Sequence, residues 1–378
     1  MLSGQENAGG SGQMKIAAPD CGAFQRSPYS DSVFHESMNT SAQAQQTIHE
    51  DDVAAIDQLG QLYANLNSEL GKVIIGQQEV IERLAISIFG RGHSLLMGVP
   101  GLAKTLLISS LAQTMSLTFS RIQFTPDLMP MDITGTDILQ DDVTGGKRIF
   151  EFVKGPIFAN IVLADEINRA PAKTQAALLE AMQEHKVTIM GKTFHLDQPF
   201  FVLATQNPVE QEGTYPLPEA QLDRFMFLIE VGYPSADEEL RIARETTGDV
   251  RNTLNHIISG EELMRFQSLV RRLPVPDHLY DYAVSLVRRT RPDDPTAPDW
   301  IKQYVSWGAG PRAVQYLILG AKARAALQGS YMARMEDIEA VAEPVLVHRV
   351  LTNFTAESEG FSSKKIVSRL IEETSKDA

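Results

Sequence analysis

A single cysteine, Cys21, stands among 378 residues. An intrachain disulfide and a cysteine-rich metal site are therefore excluded. No apolar run reaches the ~18 residues that cross a bilayer. The opening stretch MLSGQENAGGSGQMK lacks the apolar segment of a secretory signal, so cytoplasmic residence is expected. Positive charge is also short: 34 Lys+Arg face 48 Asp+Glu, a net charge of −14. Extended binding to a nucleic-acid backbone needs many cations, so that deficit argues against it. Aromatics make up 7% of the chain and are not interleaved with a basic stretch that would stack on bases. The basic pairs Lys147–Arg148 and Arg271–Arg272 read as solvated faces. The eight histidines show no metal-ligand spacing. Apolar residues, at 43%, are plentiful enough for one large core and a smaller one.

Composition changes along the chain. Residues 1–50 are rich in Gly, Ser, Gln and Asn, too polar to offset the entropy of ordering, and are expected to be a disordered tail. A helical pattern follows from Asp51 in Ile56, Leu59, Leu62, Tyr63, Leu66 and Leu70, and a second helix is expected from Gln77 to Phe89. Short apolar strands then alternate with helices: His93–Met97, Leu117–Phe124, Ile161–Ala164, Phe200–Ala204 and Phe225–Ile229. That alternation predicts an α/β fold, a parallel sheet with helices on both faces. Thr125–Pro156 breaks the rhythm with Pro126, Pro130, Gly135, Gly145 and Gly146. Beyond Gly232 strand signals vanish, and helices are expected near 235–247, 260–272, 277–290, 311–328 and 334–348. The predicted organisation is a core over 51–232, a smaller all-helical domain over 233–354, and a polar extension over 355–378.

Between the first strand and the next helix lies Gly98-Val99-Pro100-Gly101-Leu102-Ala103-Lys104-Thr105, followed by Leu106. It matches the phosphate-loop pattern G-x-x-x-x-G-K-[ST] except at Ala103. A glycine-bearing bend entering a helix N-terminus aims several N–H groups at one point, which a phosphate requires. Lys104 adds a cation for the β- and γ-phosphates, and the Thr105 hydroxyl is a Mg²⁺ ligand candidate. Ala103 is expected to adopt right-handed helical angles at the start of the helix, where a methyl is tolerated. Some 60 residues on, the apolar strand Ile161–Ala164 ends in Asp165 and Glu166. A buried strand delivers its last residues to the crevice where ligands of parallel sheets bind. Asp165 suits the Mg²⁺ shell, and Glu166 suits a base that orients or deprotonates water attacking the γ-phosphate.

Three segments, GVPGLAKT, LADEINRAPAKTQAALLEAMQE and FVLATQNPVEQEGTYPLPEAQLDRF, with the later GAGPRA, resemble the MoxR family of AAA+ ATPases from about Leu62 to Val350. The resemblance implies an AAA+ nucleotide-binding core with a helical lid, ATP and Mg²⁺ as ligand and cofactor, and a homo-oligomeric ring, a hexamer. It also implies a chaperone-like role on a protein substrate, commonly a partner with a von Willebrand factor A domain, including maturation or metal-cofactor insertion. Asn207 matches the sensor-1 position, able to hold the attacking water, although Asn207-Pro208 is equally a good turn. Arg224 matches the arginine finger that reaches a neighbour's γ-phosphate; an ion pair with Asp223 or Glu219 in its own subunit is the competing reading. Arg312 matches sensor 2 and is expected to project from the first turn of a lid helix towards the nucleotide, the alternative being a solvated arginine. Ile74, Ile75 and Gly76 match the adenine-contacting segment and equally suit a core. Thr125–Pro156 resembles the helix-2 insert, and Val187–Leu196 the hairpin before sensor 1. A nucleic-acid motor and a non-hydrolysing nucleotide-gated scaffold are the rival functions.

Overall fold

The computed structural model describes residues 50–141, 148–209, 213–248 and 253–377. Residues 1–49 of the expected disordered tail, with Cys21, the Gly145–Gly146 turn and Lys147 lie outside them, while Glu50 already belongs to the first helix. Two helices, α1 (Glu50–Leu70) and α2 (Gln78–Phe89), precede β1 (Ser94–Met97) and α3 (Lys104–Thr114). Next come β2 (Phe119–Gln123), α4 (Pro130–Thr134), β3 (Gly135–Asp141), β4 (Arg148–Lys154) and β5 (Ile161–Asp165). A 3-10 turn (Ile167–Arg169) leads to α5 (Ala172–Glu184), β6 (Lys186–Ile189), β7 (Lys192–His195), β8 (Phe201–Gln206), α6 (Glu219–Leu222) and β9 (Phe227–Glu230). The helical half holds α7 (Ala236–Thr246), α8 (Gly260–Arg272), α9 (Asp277–Arg289), α10 (Asp299–Tyr304), α11 (Pro311–Leu327) and α12 (Met335–Leu346). A small ribbon pairs β10 (Val305–Trp307) with β11 (Leu351–Thr352), and α13 (Phe354–Ser358) and α14 (Ser363–Asp377) complete the chain.

The main sheet is parallel, in the order β2-β5-β8-β1-β9. Side chains alternate across it with period 2. Leu96, Ile161, Leu163, Phe201, Leu203, Phe227 and Ile229 face one apolar cluster together with α1, α2, α3 and the lid helices. Leu95, Val162, Ala164, Val202, Ala204 and Leu228 face the other, against α5. Both faces being covered explains why the strands read as continuous apolar runs. Because every strand runs the same way, the sheet has one edge of strand C-termini and one of strand N-termini.

The irregular stretch expected over Thr125–Pro156 contains a regular element. β3 and β4 pair antiparallel from Gly135↔Lys154 to Asp141↔Arg148. Gly135 has φ 91°, and a Cβ there would stand 2.2 Å from the Val153 carbonyl, so the chain turns into this ribbon only at glycine. Phe152 stacks on Phe194 of β7 at 4.2 Å between ring centroids, which ties the ribbon to the β6–β7 hairpin. That hairpin turns at Met190 and Gly191, both with positive φ (48° and 79°). Such a turn matches the twist of its flanking strands.

The lid helices fall where helical spacing predicts. Ser235 with Glu238 and Ser259 with Glu262 form reciprocal capping boxes that start α7 and α8. The polar extension from Thr355 is a packed helix instead of a frayed end. Ile366, Val367 and Leu370 of α14 are buried, and α14 packs on α9 and α12. Three apolar positions on one face suffice to dock it, a signal that an average composition hides. Among the described residues no helix is long and apolar enough to cross a membrane.

Candidate active site

The phosphate cradle joins the C-terminal end of β1 to α3. Gly101 takes φ 88°, and nothing stands within 4 Å of where its Cβ would be. The loop is open to a ligand there. Gly98 is closed from behind, since a Cβ would meet the Val231 carbonyl at 2.7 Å. Lys104 curls back to donate to the Gly98 carbonyl. Ala103 departs from expectation. It is the residue capping α3 and sits at φ 55°, ψ 23°, in the left-handed region. A methyl is therefore held where glycine is favoured, at a cost of about 1 kcal/mol; right-handed helical angles begin only at Lys104, the first residue of α3.

Asp165 and Glu166 emerge beside this loop at the tip of β5. Asp165 accepts from the Thr205 hydroxyl (2.6 Å) and from Arg121 of β2 (2.6 and 3.0 Å). Glu166 also has a left-handed backbone (φ 56°), pinned by its own N–H donating to the Thr205 hydroxyl at 2.8 Å. Its carboxylate accepts from Gln123 Nε2 (3.0 Å) and pairs with Arg169 Nε (2.9 Å). Burial lowers the pKa of Lys104, while the charges of Asp165 and Glu166 pull it back up. The ammonium thus lies within the field of both acids. One cleft holds a cation, a glycine bend at a helix N-terminus, and two acids.

Asn207 is buried just beyond β8, two residues from Thr205, and its Oδ1 accepts the Val209 N–H at 3.1 Å. The turn role anticipated for Asn207-Pro208 is thus filled at the same strand edge as the acids. Ile74 and Ile75 are buried in the core. The neighbouring Gln77 donates to the Leu102 carbonyl at 3.1 Å, so this segment abuts the cradle. Thr105 is the second residue of α3 and Leu106 is half exposed behind it. Arg121, Gln123, Arg169 and Thr205 were not singled out from sequence. Their only signal was proximity, because Gln123 pairs with Asp165 solely through the β2–β5 register.

The two remaining arginines sit elsewhere. Arg224 Nη1 donates to the Leu179 carbonyl at 2.7 Å. Its guanidinium pairs with neither Asp223 nor Glu219. Arg312 pairs with Asp223 at 2.9 Å. Arg224 and Arg312 both line a cavity of about 260 Å³ with Arg91, His185, Arg271 and Tyr316. This cavity lies at the N-terminal edge of the sheet: it is lined by His93, which precedes β1, and Met226 donates to the His93 carbonyl at 2.7 Å. The cradle follows the other end of the same strand. Arg312 therefore does not project towards the nucleotide site of its own chain; the Asp223 pair and the docking of α11 hold it at the opposite edge.

A glycine loop between strand and helix, facing an acid-tipped neighbouring strand and followed by a helical lid, defines a P-loop nucleotide-binding domain of the AAA class. Comparison with known proteins agrees. Residues 93–227 match the model of the ATPase family associated with various cellular activities (AAA), and residues 299–370 match the AAA lid domain. The chain is 43% identical to chaperone MoxR1 of Mycobacterium tuberculosis over 304 residues, 80% of this chain and 79% of that one. It is 29% identical to protein MoxR of Methylorubrum extorquens over 323 residues, 76% and 87% of the two chains. A crystal structure of a protein from Cytophaga hutchinsonii superposes with a TM-score of 0.78 at 43% identity, covering 85% of this chain and 98% of that one. The chain belongs to the MoxR family of AAA+ ATPases.

Proposed function

We propose that the chain hydrolyses ATP in the cleft between the phosphate loop and β5, works as a homo-oligomeric ring, a hexamer, and uses the cycle to remodel a protein partner. The observation that carries this reading is the separation of Lys104, Asp165 and Glu166 at one sheet edge from Arg224 and Arg312 at the other. A chain with a phosphate loop on one side and cavity-lining arginines on the other suits a head-to-tail contact with its own copy. Such contacts close into rings when the rotation allows.

In this reading Gly98, Val99, Pro100, Gly101, Leu102, Ala103 and Leu106 shape the cradle, its amides hold the phosphates, and Lys104 balances their charge. Gly101's open face and the partly buried Lys104 ammonium fit a triphosphate. Thr105 and Asp165 are the residues to hold Mg²⁺, which would neutralise phosphate charge when bound. Glu166 accepts the proton of the attacking water, its carboxylate aimed by Gln123 and Arg169, and Asn207 helps to place that water. Arg224 and Arg312 then stabilise transition-state charge on the neighbour's nucleotide. The partner is a protein, with a von Willebrand factor A domain protein and metal-cofactor insertion as the specific form. The chaperone name of the mycobacterial relative supports the coarser half of that statement.

Glu166→Gln tests the chemistry. Turnover should fall by about 10³-fold because the general base is lost, while ATP binding persists. Capture by this variant should recover a protein partner in the presence of ATP. Equal, negligible turnover in the parent chain and the variant would sink the hydrolytic reading and favour a nucleotide-gated scaffold.

A further inference from the structure

The carbonyls of segment 223–226, between α6 and β9, are bound by side chains of the lid. Arg349, only 2% exposed, donates from Nε to Asp223 Oδ1 at 2.8 Å. Its Nη2 donates to the carbonyls of Asp223 (2.9 Å) and Phe225 (2.6 Å), and its Nη1 to those of Met226 (3.3 Å) and Val345. All five N–H donors of the guanidinium are used. The Tyr316 hydroxyl donates to the Arg224 carbonyl at 3.1 Å, and the His348 ring faces the Phe225 carbonyl at 3.2 Å. Four consecutive carbonyls are thus fastened from one side. The Arg224 side chain leaves towards the cavity instead. The Asp223 carboxylate bridges Arg349 to Arg312 of α11, whose Nη1 stands 2.9 Å from Oδ2.

We infer that Arg349 and Asp223 are positioning residues that hold Arg224 and Arg312 at a fixed spacing, so that both meet one triphosphate of a neighbouring subunit. The inference rests on the ring reading above, in which those two arginines act across an interface. Arg224 needs such a brace. It follows the single-turn helix α6, too short to orient a long side chain. A buried guanidinium in a fixed planar fork sets the path of the backbone that carries it. One carboxylate shared between Arg349 and Arg312 ties the lid's first long-helix turn to the same frame. Lid and finger then move as one body.

The test is a double-substitution cycle on the full chain. Turnover at saturating ATP and affinity for a fluorescent ATP analogue are measured for Arg349→Lys, Arg224→Ala and the pair, with thermal melting alongside. Lysine has three donors for five acceptors, so the fork is lost. Arg349→Lys should lower turnover at least about 10-fold through misplacement of Arg224. Affinity at its own cradle should stay within about twofold, since the cradle lies at the other sheet edge. Added to Arg224→Ala, it should cost little more. Should Arg349→Lys fail to fold, Asp223→Asn carries the test with the same expected pattern, because it spares the carbonyl bonds and removes only the shared charge. Normal turnover in these variants, or a full further loss on the Arg224→Ala background, overturns the inference. Normal turnover in Arg224→Ala itself instead overturns the ring reading on which it rests.

Discussion

At the carboxyl edge of the sheet, the groups proposed to face the nucleotide are held by local backbone and by neighbours one strand away. Lys104, Asp165 and Glu166 depend on a left-handed Ala103, a left-handed Glu166 and the Thr205 hydroxyl. At the amino edge, the segment that carries Arg224 depends on lid side chains distant in sequence, Tyr316, His348 and Arg349, and Arg312 depends on Asp223. One edge is built from motifs, the other from tertiary contacts. The carboxyl edge should therefore tolerate changes in the lid, and the amino edge should not.

The largest effect expected is at the amino edge. Arg224→Ala should lower turnover about 10³-fold, the loss of an arginine finger. Mixed with Glu166→Gln subunits it should regain activity, because some interfaces then join an intact arginine to an intact acid. Mixtures that stay inactive at every ratio would break the comparison, placing both groups in one subunit's site.

A second test uses pH. His93 is fully buried at the amino edge, its Nδ1 accepting the Val202 N–H at 3.0 Å and its Nε2 facing the Met182 carbonyl at 3.2 Å. One nitrogen accepting and one donating suits the neutral ring. Burial drives its pKa down to about 4, against 6.5 for the free side chain. Between those values the unfolded chain binds a proton that the folded chain refuses. Its stabilising effect is therefore complete above pH 6.5 and is lost as pH falls towards 4, by about 3 kcal/mol. The buried ring of His348 is shifted the same way by burial. Urea unfolding of His93→Gln should show a shallower loss of stability over this range than the parent chain. An unchanged slope would mean that His93 is already protonated in the folded state.

The smallest effect sharpens the carboxyl edge. Ala103→Gly relieves a left-handed alanine and should stabilise the chain by about 0.5–1 kcal/mol, less than the full strain because glycine also loosens the unfolded state. Thermal melting checks this. A clear destabilisation would restore right-handed helical angles at position 103.

Much of the α/β part was legible because its signals are short in range. Each parallel strand is a buried apolar run, and the loop and acid pair lie at strand ends that any such sheet brings to one crevice. The β3–β4 ribbon was not legible, because prolines and glycines crowd at its ends, Pro130, Gly135, Gly155 and Pro156, while its described strands stay half exposed. Phe150 is 70% exposed, so no buried face announced that strand. Arg312 was misplaced for a different reason. Its position at the first turn of a helix was correct, but the direction of that helix depends on how α11 docks, and docking leaves no mark at residue 312.

What the sequence determined by itself is therefore the five strands of the main sheet, the phosphate loop and the acids at the tip of β5, because chain connectivity places strand ends and the turns after them. Only the tertiary structure decided the address of the arginines and the five-fold bonding of Arg349. Those depend chiefly on contacts between residues 45 to 126 positions apart, and a linear pattern carries no record of such distances.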